Sequence, residues 1–179
     1  MAEVCPYVFR LPMAPLSAAR EEGQTIRVAT ILQAFRALHR KHDLLVVEGA
    51  GGVHVPITET VHGLDLMERM GLPVIVVGQS GLGGVNHALL TLAALRQRKI
   101  PVVALVLNRL RPVRTTIARA QEQSTVTLLR RLAKVPVVGP LPYSAGVTKY
   151  WHDGMMQLAW AVEIMTLAKL VSAYGKERP

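Results

Sequence analysis

The stretch Val46-Val47-Glu48-Gly49-Ala50-Gly51-Gly52 decides how the rest of this chain is interpreted. It follows Leu44 and Leu45, so four aliphatic residues lead into an acidic residue and a glycine-rich turn. Such a run is typical of a buried strand in an open parallel α/β sheet, where ligands bind at the carboxyl ends of the strands. A carboxylate there can hold a divalent cation, and glycines let backbone N–H groups approach phosphate oxygens. An ordinary strand-to-turn transition explains the same residues, and both interpretations remain open at this point.

The remainder of the chain alternates short apolar runs with amphipathic segments. Besides the run at 44–48, strands are predicted at residues 74–77, 102–107 and 135–138. Helices are predicted at residues 16–22, 25–40, 63–70, 84–98, 115–133 and 155–171, the second of them capped by Thr25. Uniformly apolar strands that alternate with helices predict an α/β fold with a doubly wound, mostly parallel sheet. We expect one domain spanning residues 1–179.

The composition excludes several classes of protein. Half of the 179 residues are hydrophobic, but every apolar run is too short to span a membrane, so no membrane partner is expected. The formal net charge of +9 lies largely between residues 109 and 134, where Glu122 is the one acidic residue. Two Trp, four Tyr and two Phe offer little for base stacking, so no nucleic-acid partner is expected either. A single cysteine, Cys5, excludes an internal disulfide and fits a cytoplasmic protein.

Each of the later strands is also followed by residues suited to binding. The loop Gly81-Leu82-Gly83-Gly84 runs into a helix start, whose N–H groups and positive dipole end suit an anion. No lysine follows these glycines as it does in a Walker A loop, which favours a carboxylate over a reacting phosphate. Asn108 presents a donor and an acceptor that match the edge of adenine, and Pro142-Tyr143-Ser144 form a turn suited to a base pocket. Such turn residues also occur without any function, so these last two sites stay open.

Two other site types fit the sequence poorly. Gly78-Gln79-Ser80-Gly81 lies at a strand-to-helix turn, as the nucleophile elbow of a hydrolase does, but that motif needs glycine where this chain has Leu82. The histidine pairs lack the cysteine or acidic residues that would complete a tetrahedral metal site. We predict that these histidines are solvated; they are His39 and His42, and His54 and His62.

In their order and spacing, these motifs resemble dethiobiotin synthetase, the ATP-dependent enzyme that closes the ureido ring in biotin biosynthesis. The resemblance covers nearly all of the chain up to about Tyr143. It is carried by Val47-Glu48-Gly49-Ala50-Gly51-Gly52, by Leu82-Gly83-Gly84-Val85-Asn86-His87, by Val106-Leu107-Asn108 and by Gly139-Pro140-Leu141-Pro142-Tyr143. It implies a sheet of the P-loop NTPase type.

The resemblance also implies a reaction and its binding residues. In the family, the diamine 7,8-diaminononanoate takes up carbon dioxide as a carbamate, ATP phosphorylates the carbamate, and the second amine closes the ring. The implied ATP-binding residues are Glu48, which would also ligate Mg²⁺, and Gly49, Ala50, Gly51, Asn108, Pro142, Tyr143 and Ser144. The implied residues for the substrate's carboxylate are Gly83, Gly84, Val85 and Asn86. A homodimer is implied as well; the helices at 85–95 and 155–171 either form its contacts or pack in the core, and both interpretations remain open.

The family's amino-terminal unit matches none of these residues. That unit carries the phosphate-binding glycine-rich loop with its lysine and threonine, a carbamate-stabilising lysine and an acidic magnesium ligand, which phosphoryl transfer needs. We therefore name no catalytic residue, describe the domain as amino-terminally truncated, and expect the 179 residues alone neither to hydrolyse ATP nor to form dethiobiotin. The missing strand would lie centrally, so an exposed apolar sheet edge is expected.

Three explanations of the truncation are open: a start codon placed too late, which we favour, a split protein whose partner supplies the P-loop, or a decayed remnant. The alternative function is a non-catalytic nucleotide- or carboxylate-binding module of P-loop ancestry. Binding distinguishes the two functions, because a synthetase prefers the carboxylate end of the diamine and a partner-binding module does not.

Overall fold

The computed structural model describes residues 4–145, 147 and 150–176, without the side chains of Gln157 and Lys176. The chain divides into two compact units, Met1–Leu72 and Pro73–Pro179, and each is described by itself. The single domain expected over residues 1–179 stays a prediction.

The first unit is built on three helices. They are α1 (Pro15–Glu21), α2 (Val28–His39) and α3 (Gly63–Met70), and all three were predicted. The predicted cap at Thr25 is wrong, because α2 begins after Arg27, which holds an extended backbone conformation. Ala19, Ile26 and Ile57 form the buried core, and Tyr7, Phe9, Ile31 and Leu66 pack against it.

The strand predicted at residues 44–48 is absent. These residues lie outside any strand, and Val46 is 83% exposed, with Leu44 and Val47 also exposed. An apolar run becomes a buried strand only where a neighbouring strand bonds to its N–H and C=O groups. Among the residues that the structure describes, none pairs with this run. The strand prediction for residues 44–48 was therefore wrong, although the fold prediction started from this stretch.

The second unit contains a three-stranded parallel sheet. Its strands β1 (Val74–Gln79), β2 (Val102–Asn108) and β3 (Val137–Leu141) lie in the order β1-β2-β3. The three later strands of the prediction are thus confirmed, although β3 extends through residues expected to form a turn. Gln79 pairs with Asn108, and Asn108 pairs with Leu141. The carboxyl ends of all three strands therefore meet at one edge.

Helices cover both faces of this sheet. Helices α4 (Gly84–Gln97) and α5 (Thr116–Leu132) pack on one face, and Thr115 caps α5 by accepting a hydrogen bond from the Ala118 N–H. The chain then forms α6 (Trp151–Ala159) and α7 (Val162–Lys176), and α7 packs on the other face, against β2 and β3. This arrangement confirms the doubly wound α/β sheet.

The core of the second unit follows the alternation of side chains along β2. Leu105 and Leu107 are fully buried on the face that α4 covers, close to Gly78. Ala104 and Val106 point to the other face, where side chains of α7 contact them. Each face of β2 is therefore apolar, as expected for a strand covered on both sides.

Two further expectations can now be compared with the structure. The predicted helix at 155–171 is instead the pair α6 and α7, because the backbone turns at Trp160 and Ala161. Apolarity alone predicted one helix, since it does not indicate where a chain changes direction. The expected apolar edge is found at β1, where Ile75 and Val77 are exposed. None of the described helices is both long and apolar enough to cross a membrane.

Candidate functional site

The loop between β1 and α4 requires glycine at two positions. Gly83 has a φ of 87°, in the left-handed region that favours glycine, and it forms the N-cap of α4. A Cβ atom at Gly84 would collide with the carbonyl oxygen of Gln79. The side-chain amide of Gln79 donates to the Leu82 carbonyl over 3.0 Å. The loop is thereby held close against the end of β1.

The first turn of α4 leaves two N–H groups available to a ligand. The Gly84 N–H donates to the Gly81 carbonyl at 3.0 Å, and the His87 N–H donates to the Gly83 carbonyl at 3.1 Å. The N–H groups of Val85 and Asn86 donate to no acceptor within the described part of the chain. Together with the positive end of the helix dipole, they form a place where an anion is stabilised.

A groove of about 830 Å³ runs from this helix start along α4 and α5. Its α4 side carries Gly83, Val85 and Asn86 at one end and the apolar Leu89 and Leu90 further along. Its α5 side includes Thr125 and Leu128. The groove thus combines anion-binding N–H groups at one end with an apolar length, which suits an aliphatic molecule with a terminal carboxylate.

A second, smaller cavity of about 410 Å³ lies at the ends of β2 and β3. Its lining consists of Arg109, Pro112, Val113, Arg119, Glu122, Pro142 and Tyr143. Of the residues predicted to bind the adenine base, Pro142 and Tyr143 line this cavity. Asn108 and Ser144 do not line it, although Asn108 immediately precedes Arg109 in the chain.

A charged cluster that the site prediction did not include contributes two residues, Arg109 and Glu122, to the lining of this cavity. We call Ser80, Arg109 and Glu122 the edge cluster. The Ser80 hydroxyl donates to Oε1 of Glu122 at 2.7 Å, and Nη2 of Arg109 donates to Oε2 at 2.8 Å. Nε of Arg109 donates to the same carboxylate at 2.9 Å and 3.1 Å. The sequence did hold a signal for this cluster, because Glu122 is the one acid among the basic residues between 109 and 134.

The edge cluster shifts the titration of its members. The hydrogen bonds from Arg109 lower the pKa of Glu122 against the opposing effect of desolvation, and the bond from Ser80 lowers it further. The same hydrogen bonds with Glu122 raise the pKa of Arg109. Ser80 is only 3% exposed, and its hydroxyl donates a hydrogen bond to the Glu122 carboxylate.

The loop after Glu48 lies in the first unit. Gly51 has a φ of 88°, and its N–H donates to the Gly49 carbonyl at 3.0 Å, so the predicted glycine turn is formed. The Glu48 side chain is exposed and makes no hydrogen bond or ion pair with any residue that the structure describes. Such a carboxylate fits Mg²⁺, which takes one or two carboxylates and fills its other positions with water and phosphate oxygens. No group of three His, Cys, Asp or Glu side chains suited to a metal is found among the described residues.

Comparison with known proteins identifies the family. A family model described as an AAA domain matches residues 1–150. The ATP-dependent dethiobiotin synthetase BioD of Anaeromyxobacter dehalogenans (strain 2CP-C) is 49% identical over 109 residues, which is 61% of this chain and 49% of that protein. The enzyme of the same name from Thermodesulfovibrio yellowstonii is 37% identical over 153 residues, or 82% of this chain and 62% of that protein. That of Bacillus subtilis (strain 168) is 30% identical over 147 residues, with 82% and 62% covered.

The chain thus spans about half the length of the first of these curated relatives and 62% of the other two. The matched residues include the parallel sheet, the glycine-rich loop after β1 and the turn after β3. The chain therefore belongs to the AAA-domain family, has an α/β fold of the P-loop NTPase type, and resembles the dethiobiotin synthetases.

Proposed function

We propose that this chain supplies the adenine-binding and carboxylate-binding parts of an ATP-dependent dethiobiotin synthetase. The observation that carries the proposal is the meeting of three strand ends at one sheet edge, where Asn108 ends β2 and the glycine-rich loop and Pro142 follow the strands on either side of it. Ligands of open parallel sheets bind at such an edge. The proposed reaction is that of the enzymes named dethiobiotin synthetase, with which this chain shares sequence identity.

In this proposal Asn108 and the turn after β3 bind the base of ATP. The amide of Asn108 offers one donor and one acceptor, which complement the N6 and N7 positions of adenine. Pro142 and Tyr143 offer flat surfaces beside the 410 Å³ cavity, and Tyr143 is half exposed. Ser144 follows them directly. The adenine would lie against this turn.

Glu48 and the glycine turn after it belong to the phosphate end of the nucleotide in this proposal. The exposed carboxylate of Glu48 would ligate Mg²⁺, and the backbone of Gly49, Ala50 and Gly51 would lie along the phosphates. When bound, Mg²⁺ supplies positive charge that offsets the negative charge of the phosphates. Glu48 holds its carboxylate free of other partners for that role, as far as the described residues go.

The groove along α4 and α5 is the proposed site of the diamine substrate. The N–H groups of Val85 and Asn86 would bind the carboxylate of 7,8-diaminononanoate, and the apolar side chains of Leu89 and Leu90 would contact its aliphatic chain. Carbon dioxide joins one amine as a carbamate, which takes the phosphoryl group from ATP. The second amine then attacks the carbamate carbon and expels phosphate.

A homodimer is part of the proposal. Leu82 and Leu90 lie on the rim of the groove and are 80% and 62% exposed, so a second copy that covers the groove would bury apolar surface. We assign the reaction to the cytoplasm because the one cysteine of the chain, Cys5, is a free thiol.

Calorimetric titration of the purified chain tests the carboxylate site. The ligands are 7,8-diaminononanoate and the matching diamine without a carboxylate, and we expect about tenfold tighter binding of the first. Val85→Pro removes one of the two available N–H groups in the first turn of α4, where that N–H makes no intrahelical hydrogen bond, and it should abolish most of this preference. Val85→Ala is the matched control and should keep it. Equal affinity for the two diamines would contradict the carboxylate site and favour a binding module with another partner.

Titration with nucleotides tests the base site separately. We expect the chain to bind ADP more tightly than GDP, and Asn108→Ala to remove about tenfold of that preference. Gln123→Ala, which truncates an exposed amide of α5 outside the proposed sites, is the control. A chain that does not distinguish ADP from GDP would contradict the adenine assignment and leave the carboxylate site to be judged by its own titration.

A further inference from the structure

The edge cluster joins three elements at the point where the base site is proposed. Ser80 is the residue after β1, Arg109 is the residue after β2, and Glu122 lies in the middle of α5. Both oxygens of the Glu122 carboxylate accept hydrogen bonds, so a single side chain of α5 holds the ends of two neighbouring strands.

Asn108 is joined to both held residues. Its carbonyl accepts a hydrogen bond from the Ser80 N–H at 3.0 Å, which extends the pairing of β1 and β2 beyond their last residues. The next residue in the chain, Arg109, is fixed by Glu122 through three hydrogen bonds of its side chain. The backbone on the carboxyl side of Asn108 is thereby connected to α5 through Ser80 and Arg109.

Holding two strands together through this cluster has a cost in desolvation free energy. Ser80 and Glu122 are buried, at 3% and 8% exposure, and a buried charge loses the hydration that it has in water. Well-packed apolar residues often stabilise a fold as well as a buried ion pair does, so stability alone does not account for this one. In addition, a planar guanidinium that bonds to both oxygens of a carboxylate fixes the orientation of the two side chains relative to each other.

The cluster also contributes to the charge of the cavity beside it. Arg109 and Glu122 line that cavity together with Arg119, Pro142 and Tyr143. Glu122 compensates the charge of Arg109, whereas Arg119 leaves a net positive charge on the lining. The ion pair therefore fixes the Arg109 guanidinium within the cavity wall.

We propose that Ser80, Arg109 and Glu122 are positioning residues that hold Asn108 and the cavity wall in the orientation that selects adenine over guanine. The inference rests on the proposed function, since it requires that Asn108 contacts the base. Ser80 and Glu122 act through Asn108 and Arg109 and need not touch the nucleotide themselves.

The test measures ADP and GDP affinities of the 179-residue chain and its variants by calorimetry. For Glu122→Gln we expect ADP binding to weaken about tenfold while GDP binding changes little, so that the ADP/GDP preference collapses. For Ser80→Ala, which keeps the ion pair, we expect a loss of about threefold in the same direction. Glu59→Gln changes the same charge in the exposed Arg20–Glu59 ion pair of the first unit and should leave both affinities unchanged.

The ADP/GDP preference distinguishes a cluster that positions Asn108 from one that only stabilises the fold. A merely structural cluster would lower the thermal midpoint of Glu122→Gln and reduce the folded fraction, which weakens apparent ADP and GDP binding equally. An unchanged ADP/GDP ratio in both Glu122→Gln and Ser80→Ala would overturn this inference and leave the base site in place. If Glu122→Gln does not fold, Ser80→Ala decides alone. A wild-type chain without ADP binding overturns the base site of the proposed function, and this inference with it.

Discussion

The two glycine-rich loops of this protein lie in very different surroundings. The loop of the second unit, residues 81–84, follows a strand of the parallel sheet, and its Gly84 has the Gln79 carbonyl directly against it. The loop of the first unit, residues 49–52, follows an exposed segment in which Val46 bonds to no strand among the described residues. Both are preceded by an aliphatic run, so the difference lies in what each run packs against and not in its composition.

An apolar run thus acquires its structure from the strands and helices that pack against it. Val76 is buried because α4 covers its face of β1 and β2 pairs with it, whereas Val46 lacks any such pairing within the described ranges. A strand is therefore a property of at least two segments.

The largest effect is expected from truncating the buried sheet. Leu107→Ala removes a fully buried side chain between β2 and α4 and should cost about 2–5 kcal/mol of the free energy of unfolding. Leu44→Ala makes the same chemical change in the exposed segment and should cost less than about 0.5 kcal/mol. Urea unfolding followed by circular dichroism measures both. Equal costs would break the comparison, because they would mean that the 44–48 run is packed in solution.

The next largest effect on the free energy of unfolding is expected at the acidic residue of the edge cluster. Glu122→Gln should cost about 1.5–3 kcal/mol at pH 7, because charge-assisted hydrogen bonds to Arg109 and Ser80 are lost. Glu48→Gln, in the first loop, is the control and should be neutral, since no described residue bonds to that carboxylate.

The pH dependence of this difference has a definite sign. The folded-state pKa of Glu122 is lowered from its ordinary value of about 4.5, so its stabilisation is fully present above that pH. The advantage of the wild type over Glu122→Gln should shrink as the pH falls below about 4.5 and through the lowered pKa. Thermal midpoints of both proteins from pH 7 down to pH 3 measure it, and a constant difference across that range would refute the charged pair.

A smaller effect is expected from adding one methyl group to the second loop. Gly84→Ala places a Cβ against the Gln79 carbonyl, and the backbone shift that relieves it should cost about 1–3 kcal/mol. The control in the first loop is Gly49→Ala, whose Cβ would have Met67 Cε at 3.7 Å as its nearest neighbour, an ordinary contact. Thermal unfolding of the two variants compares them directly, and a neutral Gly84→Ala would contradict the tight loop.

The smallest effect is expected within the first loop itself. Gly51→Ala should cost about 1–2 kcal/mol, because φ at this position is 88° and a Cβ would approach Val55 Cγ2 to 2.9 Å. Gly52→Ala has no atom within 4 Å of its Cβ and should be close to neutral. If both substitutions prove neutral, the first loop changes conformation freely, which would sharpen the contrast with the second.

Much of the second unit could be predicted because its local patterns agree with its packing. The runs at 74–77 and 102–107 become strands, and Gly83 and Thr115 begin the helices that follow them. The run at 44–48 could not be resolved in this way, since nothing within it states whether a partner strand exists. The break at Trp160 was equally invisible, because neither glycine nor proline marks it.

In the candidate site, too, local sequence patterns predicted some features, and others depend on the assembled fold. Pro142 and Tyr143 line a common cavity, and the N–H groups of Val85 and Asn86 make no hydrogen bond with the described residues, while the binding roles of all four stay predictions. The edge cluster was missed because its three members lie 13 to 42 residues apart and meet only through the register of β1 with β2 and the packing of α5. Side-chain contacts of that range depend on the assembled fold and cannot be derived from spacing.

The central place of β2 has a consequence for how rigidly Asn108 is held over time. Residues 103–107 are buried without interruption, and the strand is bonded on both sides. Amides in such a strand exchange their hydrogens with water only when the whole unit opens, whereas those of edge strands exchange through local opening. Asn108 is the last residue of this strand, for which we expect the slowest exchange in the sheet. The residue proposed to recognise the base is therefore attached to the strand that we expect to open least often.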